Sequence, residues 1–516
     1  MPERPSFVLF ITDQHRADYL GCMGHPVLRT PHIDAIAAQG TVWDRFYVAS
    51  PVCMPNRASL MTARMPSSHG VRSNGIPLDA RNVTFVELMR DAGYKTALIG
   101  KSHLQNFSGK PATLQRPAVP QGYYAPAGPL AEAVRHNHQD YRVEAPDQAR
   151  YDIPLPYYGF DHVELVTRHG DMCQGSYRQW LLEREPNALS LIGAENQLPH
   201  GYTCPQAIRT ALPETLYSTS YIAERARAWL DAQAGDDQPF FLMVSFPDPH
   251  HPFNPPGKYW DMYAPEDMPT PVAFARNDWT PPPHVAGILR DRAEGRAKLR
   301  AMGAIGTDAQ EAREAQALTC GMISMIDDAV GHVRASAASQ DAVTIFTTDH
   351  GDHLGDHRML FKGPAAYEEV TRVPFIWSDP DAPRATRTDA IGQTHDIGTT
   401  ILDRARIQPA IGMQGRSLLH GGRDVAFIQY DHQSVSAGLG MPPRIHTVRD
   451  ARYRLSMFDG VAWGELYDLE ADPGEFINLW DDPAHTTQRA ALIEALARAR
   501  DRDRGPRPLS HRPCLS

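Results

Sequence analysis

Short apolar runs alternate with helical patterns along most of this chain. The first run, Ser6-Phe7-Val8-Leu9-Phe10-Ile11-Thr12, reads as a strand. Thr30-Pro31 then reads as an N-cap followed by proline at the first helical position, with Ile33, Ile36 and Ala37 forming an apolar stripe before Gly40. A second helix is predicted from about Val83 through Phe85, Leu88 and Met89 to Gly93, leading into the strand Thr96–Ile99. A helix over Glu214–Ala232 carries Tyr217, Tyr221, Ile222 and Trp229 on one face and precedes the strand Pro239–Phe246. A long helix near 308–338, with Ile323, Ile326, Val330 and Val333 at helical spacing, feeds the strand Ala342–Thr347. Arg372–Trp377 is a further strand, and a helix follows near His395–Arg404. This rhythm predicts an α/β fold, a large sheet flanked by helices on both faces.

The rhythm breaks in three places. Residues 108–160, 184–214 and 247–283 are rich in proline, glycine and polar residues, and read as surface excursions of the kind that line active sites. Past about residue 420 the runs shorten and alternate, as in Tyr453–Met457 and Glu465–Leu469, and an alanine-rich helix at 487–500 closes the chain. We therefore expect two units: a catalytic α/β domain over 1–420, and a small C-terminal α+β subdomain over 421–516 made of an antiparallel sheet and one helix. No internal repeat is visible.

Composition changes the picture only by exclusion. The 516 residues are 42% hydrophobic and 22% charged, as in a folded globular protein. A net charge of −10 argues against nucleic-acid or acidic-membrane partners, so an anionic ligand needs a locally positive pocket. No apolar run approaches the roughly 20 residues of a membrane span. The first strand begins too early to leave room for a secretory signal, which makes a cytoplasmic location the default expectation. Six separated cysteines without a CxxC pair suit a reducing compartment.

Candidate chemistry sits just past the carboxyl ends of predicted strands, in Thr12-Asp13-Gln14-His15, Gly100-Lys101-Ser102-His103 and Thr348-Asp349-His350-Gly351-Asp352-His353. The ligand crevice of an open α/β sheet lies at those ends. Asp13, Gln14, Asp349 and His350 offer carboxylate, amide and imidazole donors for a divalent cation, either calcium or manganese. Asp13 and Asp349 could equally do no more than terminate strands. His350, His353 and His357, spaced by three and four, could hold zinc if helical, but Gly351 and Gly355 interrupt such a helix. Arg57, Lys101, His103, Lys362 and the pair His250-His251 add cations and proton carriers. Together they describe a pocket for a small tetrahedral anion, able to stabilise charge during sulfuryl or phosphoryl transfer.

The stretch Cys53-Met54-Pro55-Asn56-Arg57, continued by Ala58-Ser59-Leu60-Met61-Thr62-Ala63-Arg64, resembles the Cys-x-Pro-x-Arg signature of type I sulfatases in the alkaline phosphatase superfamily. The resemblance implies an alkaline phosphatase-like mixed sheet, and oxidation of Cys53 to formylglycine by a dedicated modifying enzyme. Hydrated formylglycine is a geminal diol: one oxygen attacks, and deprotonation of the other expels the inorganic anion. By the same resemblance, Asp13, Gln14, Asp349 and His350 bind one divalent cation, calcium first and manganese as the alternative. Arg57 holds the diol, Lys101 and Lys362 grip the anion, His103 is the base, and His250 protonates the leaving alcohol. Asn74 lines the substrate side, with His251 as the alternative to its neighbour. The segment Gly464–Leu479 resembles the family's C-terminal subdomain.

Two departures narrow the assignment. Asp13-Gln14 and Asp349-His350 replace the Asp-Asp and Asp-Asn of many sulfatases, and are similar to the choline-sulfatase and phosphonate monoester hydrolase branches. The Gly-Lys-x-His pattern at Lys101 and His103 points back to sulfatases. The expected reaction is hydrolysis of a small-molecule sulfate monoester, with a phosphonate monoester or phosphodiester as the alternative substrate. The oligomeric state stays open, a homo-oligomer included.

Overall fold

The computed structural model describes residues 4–105, 153–300, 302–432 and 439–503, so most of the excursion expected over 108–160 lies outside the described residues. The strands in chain order are β1 (Phe7–Thr12), β2 (Thr41–Tyr47), β3 (Lys95–Gly100), β4 (His162–Thr167), β5 (Gln174–Gly175), β6 (Phe240–Ser245), β7 (Ile305–Gly306) and β8 (Val343–Thr348). There follow β9 (Met359–Leu360), β10 (Phe375–Ser378), β11 (Thr386–Gln393), β12 (Ala426–Asp431), β13 (Arg444–Arg449), β14 (Tyr453–Phe458) and β15 (Gly464–Asp468).

Nine of them form one mixed sheet in the order β11-β2-β10-β8-β1-β6-β3-β4-β5. Strands β8, β1, β6, β3 and β4 run parallel, so their carboxyl ends share one edge. Strand β10 is antiparallel to both β8 and β2. The pleat explains the two-sided burial: Phe7, Leu9 and Ile11 of β1 pack with Leu60, Phe85, Met89 and Ile401, whereas Val8 and Phe10 pack with Ile33, Ile222, Ile326 and Val330. One face is thus covered by the helices Cys53–Thr62, Phe85–Asp91 and Asp396–Arg404, and the other by Pro31–Ala38, Ser218–Asp231 and Ala309–Arg334.

The smaller antiparallel sheet, β12-β13-β14-β15, packs Val448, Leu455 and Leu466 against Leu492 and Leu496 of the helix Thr486–Asp503. The Gln393 side chain ties the sheets together, donating to Phe427 O at 2.8 Å and accepting from Phe427 N at 3.0 Å. No helix of the described residues is long and apolar enough to cross a membrane.

Several boundaries moved. The strand expected from Arg372 begins at Phe375, because Glu368–Thr371 forms a helical turn. The helix expected from Glu214 begins at Ser218, after a 3-10 turn over Glu214–Leu216. Strands β2, β4 and β11 and the helix Pro283–Ala293 were not read from the sequence. At the sheet edge, β11 is half polar, and its outer residues alternate between half-buried and exposed.

Candidate active site

Cys53 is the first residue of the helix Cys53–Thr62, and every residue of that helix is buried. The preceding Val52 is extended and offers no side-chain cap, so the orphan N–H of Met54 is satisfied instead by Asn74 Oδ1 at 3.1 Å. Pro55 sits within the first turn, where a missing N–H costs nothing. The thiol therefore lies at the positive end of a helix, a place that favours anions. Asn56 pins this helix to its surroundings: its Oδ1 accepts from Ala49 N at 2.9 Å and the Thr394 hydroxyl at 2.6 Å, while Nδ2 donates to Asp349 O at 2.6 Å.

One turn on, Arg57 reaches the ends of four neighbouring strands. Its Nε donates to Asp349 Oδ2 at 2.7 Å, beyond β8. Nη2 donates to Thr12 O at 3.4 Å and lies 3.6 Å from Asp13 Oδ2, at the end of β1. Nη1 donates to Ser245 Oγ at 2.9 Å on β6, and to Lys101 O at 3.1 Å beyond β3. This buried fork fixes both aspartates at once.

Each aspartate then has one oxygen committed to cations and one turned inward. Asp13 Oδ2 pairs with Lys101 Nζ, and its Oδ1 lies 3.6 Å from His350 Nε2. Asp349 Oδ1 accepts from Gln14 N at 3.1 Å and is also 3.6 Å from His350 Nε2. His350 Nδ1 donates to Gly351 O at 2.9 Å, which leaves Nε2 as an acceptor facing the two carboxylates and the Cys53 thiol. Burial, then Lys362, push the His350 imidazole down to about 4, so it is neutral and able to ligate. Burial alone would raise the Asp13 carboxyl, but Lys101 and then Arg57 hold it well below its ordinary value. Two inward oxygens and an imidazole nitrogen, gathered with Cys53 Sγ within 4.8 Å, fit a divalent cation.

The cationic side is equally compact. Lys362 Nζ donates to Gln14 Oε1 at 3.0 Å and Cys53 Sγ at 3.3 Å, and reaches His250 Nε2 at 3.0 Å. Gln14 Nε2 is held by Asp352 Oδ2 at 2.5 Å and His251 Nδ1 at 2.9 Å, which turns its carbonyl oxygen to Lys362. His250 Nδ1 donates to His251 O at 2.6 Å, and its ring stacks on His169 with centroids 3.7 Å apart. His169 Nε2 lies 2.8 Å from Lys101 Nζ. Burial first, and then Lys101, lower His103 and His169 well below their ordinary range; burial, then the neighbouring His169 and Lys362, do the same for His250. Burial also pushes the Cys53 thiol up to about 11, so the unmodified side chain is a poor nucleophile at neutral pH.

A sulfatase family model matches residues 5–407, more than half of the chain. The chain belongs to the sulfatase family. That membership places it among the sulfuric ester hydrolases. A second model, for the C-terminal part of N-sulphoglucosamine sulphohydrolase, matches residues 355–502. The sulfatase chain is 28% identical to the multifunctional alkaline phosphatase superfamily protein PehA of Trinickia caryophylli, over 96% of this chain and 94% of that protein. It is 27% identical to an arylsulfatase of Clostridium perfringens, over 92% of this chain and 90% of the other. Among solved structures, the phosphonate monoester hydrolase of Agrobacterium radiobacter superposes with a TM-score of 0.75 at 26% identity, covering 97% of this chain and 96% of that one.

Within this sulfatase, Asp13, Gln14, Cys53, Arg57, Lys101, His250, Asp349, His350 and Lys362 are joined by direct contacts. His103 lies in the same electrostatic field as Lys101, Asp13 and Arg57. Two further candidates stand beside this set. Asn74 caps the helix of Cys53, and His251 packs on Phe361 at 3.9 Å while accepting from Gln14, so both support the site from its flanks. The helical zinc reading of His350, His353 and His357 fails, because residues 351–355 form a loop tied to Val370 and Phe361. His353 and His357 instead each place Nδ1 2.8 Å from Glu369 Oε1. His169 and Ser245 were missed, and Asp352 stood in a candidate segment without a role of its own. For His169 the signal was available, since it sits two residues past the carboxyl end of β4, but His162–Thr167 had not been recognised as a strand.

Proposed function

We propose that this sulfatase hydrolyses sulfate monoesters to an alcohol or phenol and inorganic sulfate, with residue 53 in the formylglycine form and one divalent cation held by Asp13, Gln14, Asp349 and His350. The observation that carries the reading is the position of Cys53 Sγ, 3.1 Å from His350 Nε2, 3.8 Å from Asp13 Oδ1 and 3.3 Å from Lys362 Nζ. A reactive oxygen placed there faces both cation ligands and an anion-binding lysine. The formylglycine hydrate supplies the nucleophilic oxygen and a second, ionisable hydroxyl, and a formylglycine-generating enzyme is the partner that makes it. The cation supplies Lewis acidity; its oxygen-rich donor set suits calcium, and the imidazole suits manganese.

The chain's own residues supply the rest. Arg57 keeps Asp13 and Asp349 in register with each other. Lys101 and Lys362 bind the non-bridging oxygens of the ester and stabilise the charge that grows there. Being neutral, His103 can accept a proton from the second hydroxyl. His250 Nε2 receives a hydrogen bond from Lys362, so the proton for the leaving oxygen belongs to the Lys362–His250 pair. A bound anion offsets the two lysines and raises the proton affinity of that imidazole.

The similarity to a phosphonate monoester hydrolase supports a second reading, hydrolysis of phosphonate monoesters or phosphodiesters with sulfate esters as lesser substrates. The test is kcat/KM of the modified enzyme on an aryl sulfate, an aryl phenylphosphonate and an aryl phosphodiester. The aryl sulfate should rank first; a tenfold preference for either phosphorus ester, about 1.4 kcal/mol, establishes the second reading in its place.

A further inference from the structure

The thiol of Cys53 is one corner of a four-donor cluster with Asp13, Asp349 and His350. Its Sγ is 3.1 Å from His350 Nε2 and 3.8 Å from Asp13 Oδ1, and His350 Nε2 is 3.6 Å from Oδ1 of each aspartate. A tetrahedral zinc ion, with nitrogen and oxygen ligands at about 2.0–2.1 Å and sulfur at about 2.3 Å, needs its ligands about 3.3–3.6 Å apart. Four of the six separations, at 3.1–3.8 Å, lie around that span, and all six are within 4.8 Å. All four residues are buried, and with sulfur present they make up four ligands without Gln14, whose oxygen accepts from Lys362 in the unmodified chain and whose nitrogen is held by Asp352 and His251.

We propose that the chain still carrying cysteine at position 53 closes a four-ligand site for zinc, or its softer congener cadmium, through Cys53 Sγ, Asp13, Asp349 and His350. Binding exchanges the S–H bond for an S–metal bond and releases the proton to solvent, with no change of oxidation state. Lys362 Nζ, 3.3 Å from the sulfur, donates to the bound thiolate. Conversion of Cys53 to formylglycine removes the sulfur and reopens the fourth position, shifting preference from soft cations to harder ones. Residue 53 thereby sets metal preference as well as reactivity. This inference rests on the cation site proposed above.

The test uses the full chain produced without the modifying enzyme, its thiol verified by mass, alongside Cys53→Ala. Both are titrated with Cd²⁺, following sulfur-to-cadmium charge-transfer absorption, and separately with Mn²⁺, following the loss of the free-ion magnetic resonance signal. One equivalent of Cd²⁺ should give the absorption in the cysteine chain alone, with affinity at least about tenfold above that of Cys53→Ala, while Mn²⁺ affinity differs by less than about threefold. Manganese binding to both chains, with equal cadmium affinity and no absorption dependent on Cys53, overturns sulfur ligation and leaves the cation site standing. Absence of manganese binding in both chains overturns the cation site and the inference with it.

Discussion

Arg57 Nε donates to Asp349 Oδ2 at 2.7 Å, while the other oxygen of the same carboxylate lies 3.6 Å from His350 Nε2. The arginine thus occupies one side of the aspartate and leaves the other for the reaction centre. Because the same guanidinium also touches the ends of β1, β3 and β6, one side chain links the nucleophile helix to four strand ends, alongside the Asn56 anchor to Asp349 O. Lysine cannot reproduce that fork. Arg57→Lys is expected to lower kcat/KM on an aryl sulfate about 10²- to 10³-fold, as loss of a preorganised charged contact does elsewhere. Steady-state kinetics check this; a loss below threefold removes Arg57 from the account.

His169 offers a milder case. It stacks on His250 and sits 2.8 Å from Lys101 Nζ, so it orients two groups assigned to the substrate. His169→Ala should lower kcat/KM about 10- to 100-fold, the range typical of residues that orient others. Thermal unfolding of the variant, read alongside, separates this orienting role from a loss of fold.

Cation binding should also register as stability. Asp13 and Asp349 each keep one carboxylate oxygen 3.6 Å from His350 Nε2 in a buried site that exists only in the folded chain, so a cation bound there favours the folded state. Calcium or manganese at 100 times its dissociation constant should stabilise the folded chain by about 2.7 kcal/mol, and a chelator should reverse the effect. The same titration of Asp13→Asn should show little or no stabilisation. Differential scanning calorimetry with and without the ion reads both outcomes.

A pH effect follows from His357. Burial disfavours its charged form, but the Glu369 carboxylate 2.8 Å away outweighs burial and holds the imidazole at about 9, above its ordinary 6.5. The pair's contribution is therefore complete below about pH 6.5 and fades as pH rises through about 9, with a size on the order of 3 kcal/mol. Denaturant unfolding of the parent and His357→Gln across pH 6–10 should show a gap that narrows with rising pH. A gap that is constant or widens contradicts the charged pair.

Much of this architecture was legible in the sequence because β1, β6 and β8 are fully buried runs of apolar and small hydroxyl residues without a charge, and the first charged groups after them fall at the crevice: Asp13, the segment around His250, and Asp349. The Cys53 segment was legible for a different reason, its match to a family signature. Elements at the sheet margin were harder, since β4 and β11 mix polar and apolar residues and satisfy neither a buried-run nor a clean alternation pattern. That is why His169 was overlooked. The roles of Asn74 and His251 were out of reach because they depend on which orphan N–H or amide each side chain meets after folding. Likewise, no spacing rule shows that Asp352 turns the Gln14 amide.

The central claim is that residue 53 works as an aldehyde hydrate, and it is tested by peptide mass spectrometry across that position in enzyme made with the modifying partner present, read against aryl sulfate turnover of the same preparations. The account predicts aldehyde in place of thiol, with activity proportional to the fraction converted. Full turnover by a preparation carrying only the thiol at position 53 contradicts it.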